Sequence, residues 1–392
     1  MQSLATCAWP VRAIRSFGFA LLAAAAGPAA HAFDWQVEIT PAGELFPALE
    51  LSQAPRRTPV PGGGNGLVSV RISGSDLPPT LHLEVETPGL RRPARVSAAR
   101  SAASRAVLEL QPRLEWDVAA LRGLHAVRRQ SMRFTLDGQT RSIEVRLHPL
   151  DDALYFVREG RDRVDLGWAF AGYVDPHDPV VDEVLALARA IDPRFDADGK
   201  PRDAGADVAR VAAVWAALER RGLRYARGDP ALGRGPAAYS QRVRLLGEIW
   251  DGRRANCIDS SVLIASVLER LGLRTYIVLV PGHAFVGFEA GHGPGATEYL
   301  ETTLLGTPAS AGAPARARFD AARRAGRARW RRVAAKLDGH HGPDYALIDI
   351  GTARAYGIIP LAVDGGGTAA VAGPDGRARP ATHHAGPQNG PP

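Results

Sequence analysis

The sequence predicts an α+β protein, with an N-terminal antiparallel β-sandwich at residues 33–150 and a mixed helical and antiparallel domain at 151–361. Three observations carry the prediction. Short stretches between residues 67 and 147 alternate apolar and polar side chains, the period of a half-buried strand. From about Asp175 the apolar residues recur at helical spacing instead. Beyond residue 274 β-branched runs return, joined by Pro281-Gly282, a pair suited to a tight turn.

Residues 1–32 read as a secretory signal. Arg12 and Arg15 give a positive start, 17–26 a short apolar run, and Ala30-His31-Ala32 a small-residue cleavage site before Phe33. The apolar run is too short to span a bilayer, so the chain is expected to be periplasmic or secreted. About 360 residues of the 392 would remain, a length that suits two domains. Cleavage would also remove Cys7 and leave Cys257 as the only cysteine. An unpaired thiol in an oxidising compartment is either a hazard or a tool.

In the first domain, strands are expected at 67–72, 80–86, 106–110, 131–136 and 141–147, the last two joined by Asp137-Gly138-Gln139-Thr140. Pro/Gly loops such as 59–66 between short strands suit a small sandwich. The second domain opens with Asp178-Pro179, a cap and first turn for a helix carrying Val181, Val184, Leu185 and Ala188. A second helix places Val208, Val211, Trp215 and Leu218 on one stripe and ends at Gly222.

The chemistry concentrates at 256–303. Ile258, Val262, Ala265, Leu268 and Leu271 recur as a helix face, with Gly272 where a left-handed terminal residue is favoured. Cys257 therefore stands at a helix mouth, whose positive end and unpaired N–H groups favour thiolate, the attacking form of cysteine. Asp259, in the first turn, is expected to stabilise the helix end. A strand at 275–280 and the Pro281-Gly282 turn lead to His283, which opens the alternating run Ala284-Phe285-Val286-Gly287-Phe288-Glu289. A further strand at 297–304 carries Glu298 and Glu301 at odd spacing, so on opposite faces, and one of them can orient His283.

These residues resemble the core of the transglutaminase-like cysteine hydrolases, a branch of the papain-like architecture. The motifs are Asn256-Cys257-Ile258-Asp259 at a helix start, Gly282-His283-Ala284-Phe285-Val286 on a strand, and Leu300-Glu301-Thr302-Thr303 beyond. The match spans residues 241–304. It implies a papain-like domain in which the cysteine helix packs on an antiparallel sheet. It also implies Cys257 as nucleophile, His283 as base and Glu301 as orienting acid. The family's usual acid is Asp in an Asp-Pro-Thr context, whereas here Glu301 precedes Thr302-Thr303. Papain-like enzymes pair the nucleophile's own N–H with a side-chain donor to hold the oxyanion. Gln241 is the candidate donor, and an ordinary exposed polar residue is the competing reading.

The formal net charge is +7, yet residues 315–337 alone carry nine basic side chains against Asp320. The basicity is therefore local. Phe319, Ala322, Gly326, Trp330, Val333 and Leu337 share a stripe there, so the segment reads as a basic amphipathic helix. It could meet an anionic envelope surface such as phospholipid headgroups, or pack on the domain with its arginines solvated. Export argues against nucleic acid as a partner. Residues 362–392 are a Gly, Pro and Ala tail expected to be disordered. The pairs His340-His341 and His383-His384 lack the neighbouring ligands of a metal site.

The expected function is an exported peptidase or amidase that acts on a protein or peptide substrate through an acyl-enzyme and needs no cofactor or metal. Three alternatives remain open: an amine-accepting transglutaminase, a non-catalytic peptide or cell-envelope binding module, and a scaffold whose Cys257 pairs with another protein's thiol.

Overall fold

The computed structural model describes residues 33–361, apart from 42, 56–59, 75–76, 100–106, 201, 228–236, 292–296, 308–311 and 338–340. The signal-type segment 1–32, the tail 362–392, and His340, His383 and His384 lie outside the described residues. The architecture is mixed α+β with several antiparallel sheets.

The N-terminal half holds two sheets. Three strands, Asp34–Ile39, Val68–Ser73 and Val107–Leu110, pair antiparallel in that order. Five more run in the order Glu44–Leu45, Gln139–Leu147, Arg128–Leu136, Thr80–Glu86, Ala94–Ala99. Period-two patterning explains them: Leu81, Leu83 and Val85 are buried while His82 between them is exposed. The connection at 137–140 is shorter than expected. Asp137 and Gly138 take positive φ of 43° and 84°, so Leu136 already pairs with Gln139 in a two-residue hairpin.

Asp152–Glu159 pairs with both Asp162–Asp165 and Ala238–Arg242. The first of these strands has no clean alternation, because most of its residues are buried on either face. Beside it a buried imidazole ties three segments together. The two His148 ring nitrogens lie 2.7 Å from Asp152 Oδ2 and from Glu44 Oε2, with the Phe46 ring stacked 3.8 Å away.

The second half is built of helices on a four-stranded antiparallel sheet. Asp178 caps Pro179–Ile191, and Asp203 caps Ala204–Arg221, which ends at Gly222 with φ 87°. The helix Cys257–Arg270 packs on the sheet, whose order is Thr297–Leu300, His283–Glu289, Thr275–Val280, Ala346–Asp349. Thr297–Leu300, the third strand of this sheet in chain order, is shorter than the 297–304 expected. It stops at Leu300, because Glu301 turns its carboxylate onto the Thr303 N–H and starts a 3-10 turn at Thr302–Leu304.

A long helix, Ala315–Val333, lies against Thr297–Leu300. Contact is so close at Gly326 that a Cβ there would stand 2.3 Å from the Tyr299 carbonyl oxygen. Trp330 stacks on the Tyr299 ring at 4.2 Å, and Val333 and Leu337 join it against buried Val278, Phe285 and Tyr299. Among the described residues no helix is long and apolar enough to cross a membrane.

Candidate active site

Cys257 is the first residue of its helix, held there by reciprocal capping. Asn256 Oδ1 accepts the Asp259 N–H at 2.9 Å, and Asp259 Oδ2 accepts the Asn256 N–H at 3.0 Å. Asp259 is buried and also takes the Arg244 N–H and guanidinium, at 2.9 and 3.1 Å. Burial raises its carboxyl above the ordinary range despite those bonds. The acid thus serves the helix end. The Cys257 carbonyl accepts from the Ser261 hydroxyl at 2.7 Å and the Thr302 hydroxyl at 3.3 Å, which ties the segment after Glu301 to the cysteine helix.

His283 opens its strand opposite Val280, and its side chain is 14% exposed. Nε2 meets Glu301 at 3.0 Å to Oε1 and 3.2 Å to Oε2, and the Cys257 side chain is near enough to the ring to act on its proton affinity. Burial pushes the imidazole pKa down. The bonds to Cys257 and Glu301, and their charge, outweigh burial and lift it from 6.5 to about 9.

Glu301 is nearly sealed, with its side chain 5% exposed. It accepts the Thr303 hydroxyl at 2.7 Å and Arg329 Nε at 2.6 Å as well as His283. Burial alone would raise its carboxyl, but the bonds from His283, Thr303 and Arg329 hold it down at about 2. Glu298, the other acid of this strand, turns to the long helix, where it takes Arg323 at 2.9 Å and Arg327 Nε at 2.7 Å.

Cys257, His283 and Glu301 are therefore brought together, while Gln241 is not joined to them. Gln241 sits opposite Ala153 with its amide on the Arg242 carbonyl at 3.1 Å. Two neighbours of the cluster had no signal in the sequence. Tyr225 lies on a two-residue strand paired in parallel with Arg254–Ala255, the residues just before Asn256. It is half-buried, and burial, with the charges of Cys257 and Glu301, raises its hydroxyl pKa against the pull of Arg227. Arg329 comes from the basic helix. Five arginines of that helix pair with carboxylates: Arg316 with Asp320, Arg318 with Glu219, Arg323 and Arg327 with Glu298, and Arg329 with Glu301. Arg324, Arg331 and Arg332 are exposed.

Among the described residues no three His, Cys, Asp or Glu side chains converge as a metal site. No family model matches the chain, and no curated protein matches it. Among solved structures it pairs with red sea bream transglutaminase at 12% identity and a TM-score of 0.24, over 61% of this chain and 48% of that one. The chain thus spans about half the length of that structure.

Proposed function

We propose that the protein is an exported, transglutaminase-like cysteine hydrolase, a peptidase or amidase that cleaves an amide bond of a protein or peptide through an acyl-enzyme. One observation carries the reading: His283 is bonded to the buried Glu301 carboxylate and feels the Cys257 side chain, which stands at a helix mouth. In this reading 151–361 is a papain-like domain, and the two N-terminal sheets form a sandwich that helps present the substrate.

Glu301 holds the ring through Nε2, so Nδ1 is the nitrogen left for the sulfur. The imidazole takes the thiol proton as the sulfur becomes the nucleophile. The sulfur attacks the carbonyl carbon, and the departing amine takes the proton from His283 as the C–N bond breaks, leaving a thioester. A water molecule then loses a proton to His283, adds to the thioester carbon and expels the sulfur, which restores the starting state. The Cys257 N–H lacks an intrahelical acceptor at this position and serves as one oxyanion donor. As second donor we propose the Tyr225 hydroxyl, half-buried on the strand beside Arg254–Ala255 and within electrostatic reach of Cys257.

Iodoacetamide labelling tests the reading without a known substrate. Cys257 is expected to label rapidly at neutral pH, and His283→Ala to slow this by about 10²-fold. Cys257→Ala is expected to fold and to lose all turnover on a peptide library. Labelling at the rate of a free thiol in both proteins, or turnover surviving without the sulfur, would refute it. Tyr225→Phe is expected to slow turnover by about 10-fold or more while leaving alkylation unchanged, since alkylation makes no oxyanion. Equal turnover would remove Tyr225 from the mechanism.

A further inference from the structure

We propose that Arg329 is a positioning residue for the Cys257 and His283 pair. Its guanidinium holds the second oxygen of Glu301 and limits how much of that carboxylate's charge reaches the imidazole. The inference rests on the cysteine-hydrolase reading above, and Arg329 lies outside the 241–304 segment that carries the family resemblance.

The geometry is a single buried carboxylate shared by two cationic groups. Oε1 takes the Thr303 hydroxyl at 2.7 Å and His283 Nε2 at 3.0 Å. Oε2 takes Arg329 Nε at 2.6 Å and is 3.2 Å from the same His283 nitrogen. Arg329 reaches it from the helix Ala315–Val333, which is locked against the sheet edge on either side of that residue. Gly326 meets the Tyr299 backbone three residues earlier, and Trp330 stacks on the Tyr299 ring one residue later. The arginine side chain is one-third exposed.

The charged and titratable groups around His283 come from four segments. Cys257 faces it from the cysteine helix, Glu301 from the end of its strand, and Arg329 from the long helix. Tyr225 approaches the same cluster from the strand Arg224–Tyr225, and Arg227 just beyond it acts on the Tyr225 hydroxyl. Among them Arg329 is the cation bonded to the carboxylate that His283 uses. A cation there opposes a second positive charge on the ring. Removing it leaves Thr303 to hold Oε1, so the ring would face the whole carboxylate and keep its proton to higher pH. Arg329 thus eases proton release from His283 to the leaving amine.

The test uses the full chain with ¹³C-labelled histidine, the His283 ring signal being assigned by its loss in His283→Ala. Arg329→Gln is expected to raise the His283 titration midpoint by about half a pH unit or more, and Arg329→Lys to restore most of the parent value. Arg327→Gln removes a neighbouring arginine that pairs with Glu298 instead, and it is expected to leave the midpoint in place even if it lowers Tm. An unmoved midpoint in Arg329→Gln, or an equal shift in Arg327→Gln, overturns the proposal. Should Arg329→Gln fail to fold, Arg329→Met, which keeps the apolar stem, is judged by the same two criteria. Iodoacetamide separates the two readings. If His283→Ala does not slow alkylation, the hydrolase reading fails. If it does, and the midpoint is unmoved, the Arg329 proposal alone fails.

Discussion

His148 and His283 both stand against acidic side chains, and in both burial is outweighed so that the pKa is raised. Their surroundings differ in what the second ring nitrogen meets. His148 is fully buried, spends one nitrogen on Asp152 and the other on Glu44, and lies under the Phe46 ring. His283 spends one nitrogen on Glu301, faces a sulfur with the rest of its hydrogen-bonding capacity, and keeps 14% of its side chain open. A histidine with an acid is therefore not a sign of chemistry. Between two carboxylates and sealed, it is a charged tie joining Glu44–Leu45, Gln139–Leu147 and Asp152–Glu159. Beside Cys257 and partly open, it is placed to serve the proton transfer proposed above.

Removing the sealed ring is expected to have the largest effect on stability. His148→Leu leaves Glu44 and Asp152 buried without their shared cation, at about 3–5 kcal/mol in urea unfolding. The alkylation rate of Cys257 in the folded variant should stay near that of the parent. A change of more than a few-fold would show that the two clusters are coupled and break the contrast drawn above.

Glu301→Gln sharpens the contrast from the other side. The amide keeps the shape of the acid but loses the charge that supports the imidazolium, so His283-dependent alkylation should fall by about 10²-fold with little loss of Tm. A large fall in Tm with unchanged alkylation would make Glu301 a structural acid of the same kind as Glu44.

The smallest effect is on the pH dependence of stability. His283, lifted from 6.5 to about 9, contributes stability that is complete below 6.5 and is lost as pH rises through about 9. Glu301, lowered from 4.5 to about 2, contributes stability that is complete above 4.5 and is lost as pH falls toward 2. The Tm difference between the parent and His283→Ala should therefore be greatest between pH 4.5 and 6.5 and shrink toward pH 9. A difference that grows with pH would mean that the ring is neutral in the folded state.

Several elements were legible because their cause is local. The cysteine helix announces itself through its apolar period, Asp259 and Gly272, while the Asn256 cap that completes its start appears only in the structure. The hairpin at Pro281-Gly282 is equally local, and it delivers His283 to the start of a strand. Other elements carried no such mark. Ala94–Ala99 does alternate buried and exposed residues, but it is short and built mostly of small side chains with weak strand preference, whereas Asp152–Glu159 is buried on both faces and displays no alternation. The end of the third strand at Leu300 was missed for a related reason: Glu301 turns onto Thr303, a choice that a β-prone run does not reveal. The basic helix shows the same limit. Its apolar stripe was readable at Phe319, Ala322 and Gly326, but the partners of its arginines were not.

What the sequence determined by itself are the local features: helix caps, a turn, strand periods, and a cysteine, a histidine and an acid carried on three successive elements. Only the tertiary structure decided that Glu301 meets His283 while Glu298 meets Arg323 and Arg327, and that Gln241 turns to a neighbouring carbonyl. It also brought Tyr225 and Arg329 to the cluster from segments 32 and 72 residues away from Cys257 in the chain. The physical reason is range. Capping and periodicity act over a few residues of backbone, whereas the company a side chain keeps depends on which distant surfaces close over it.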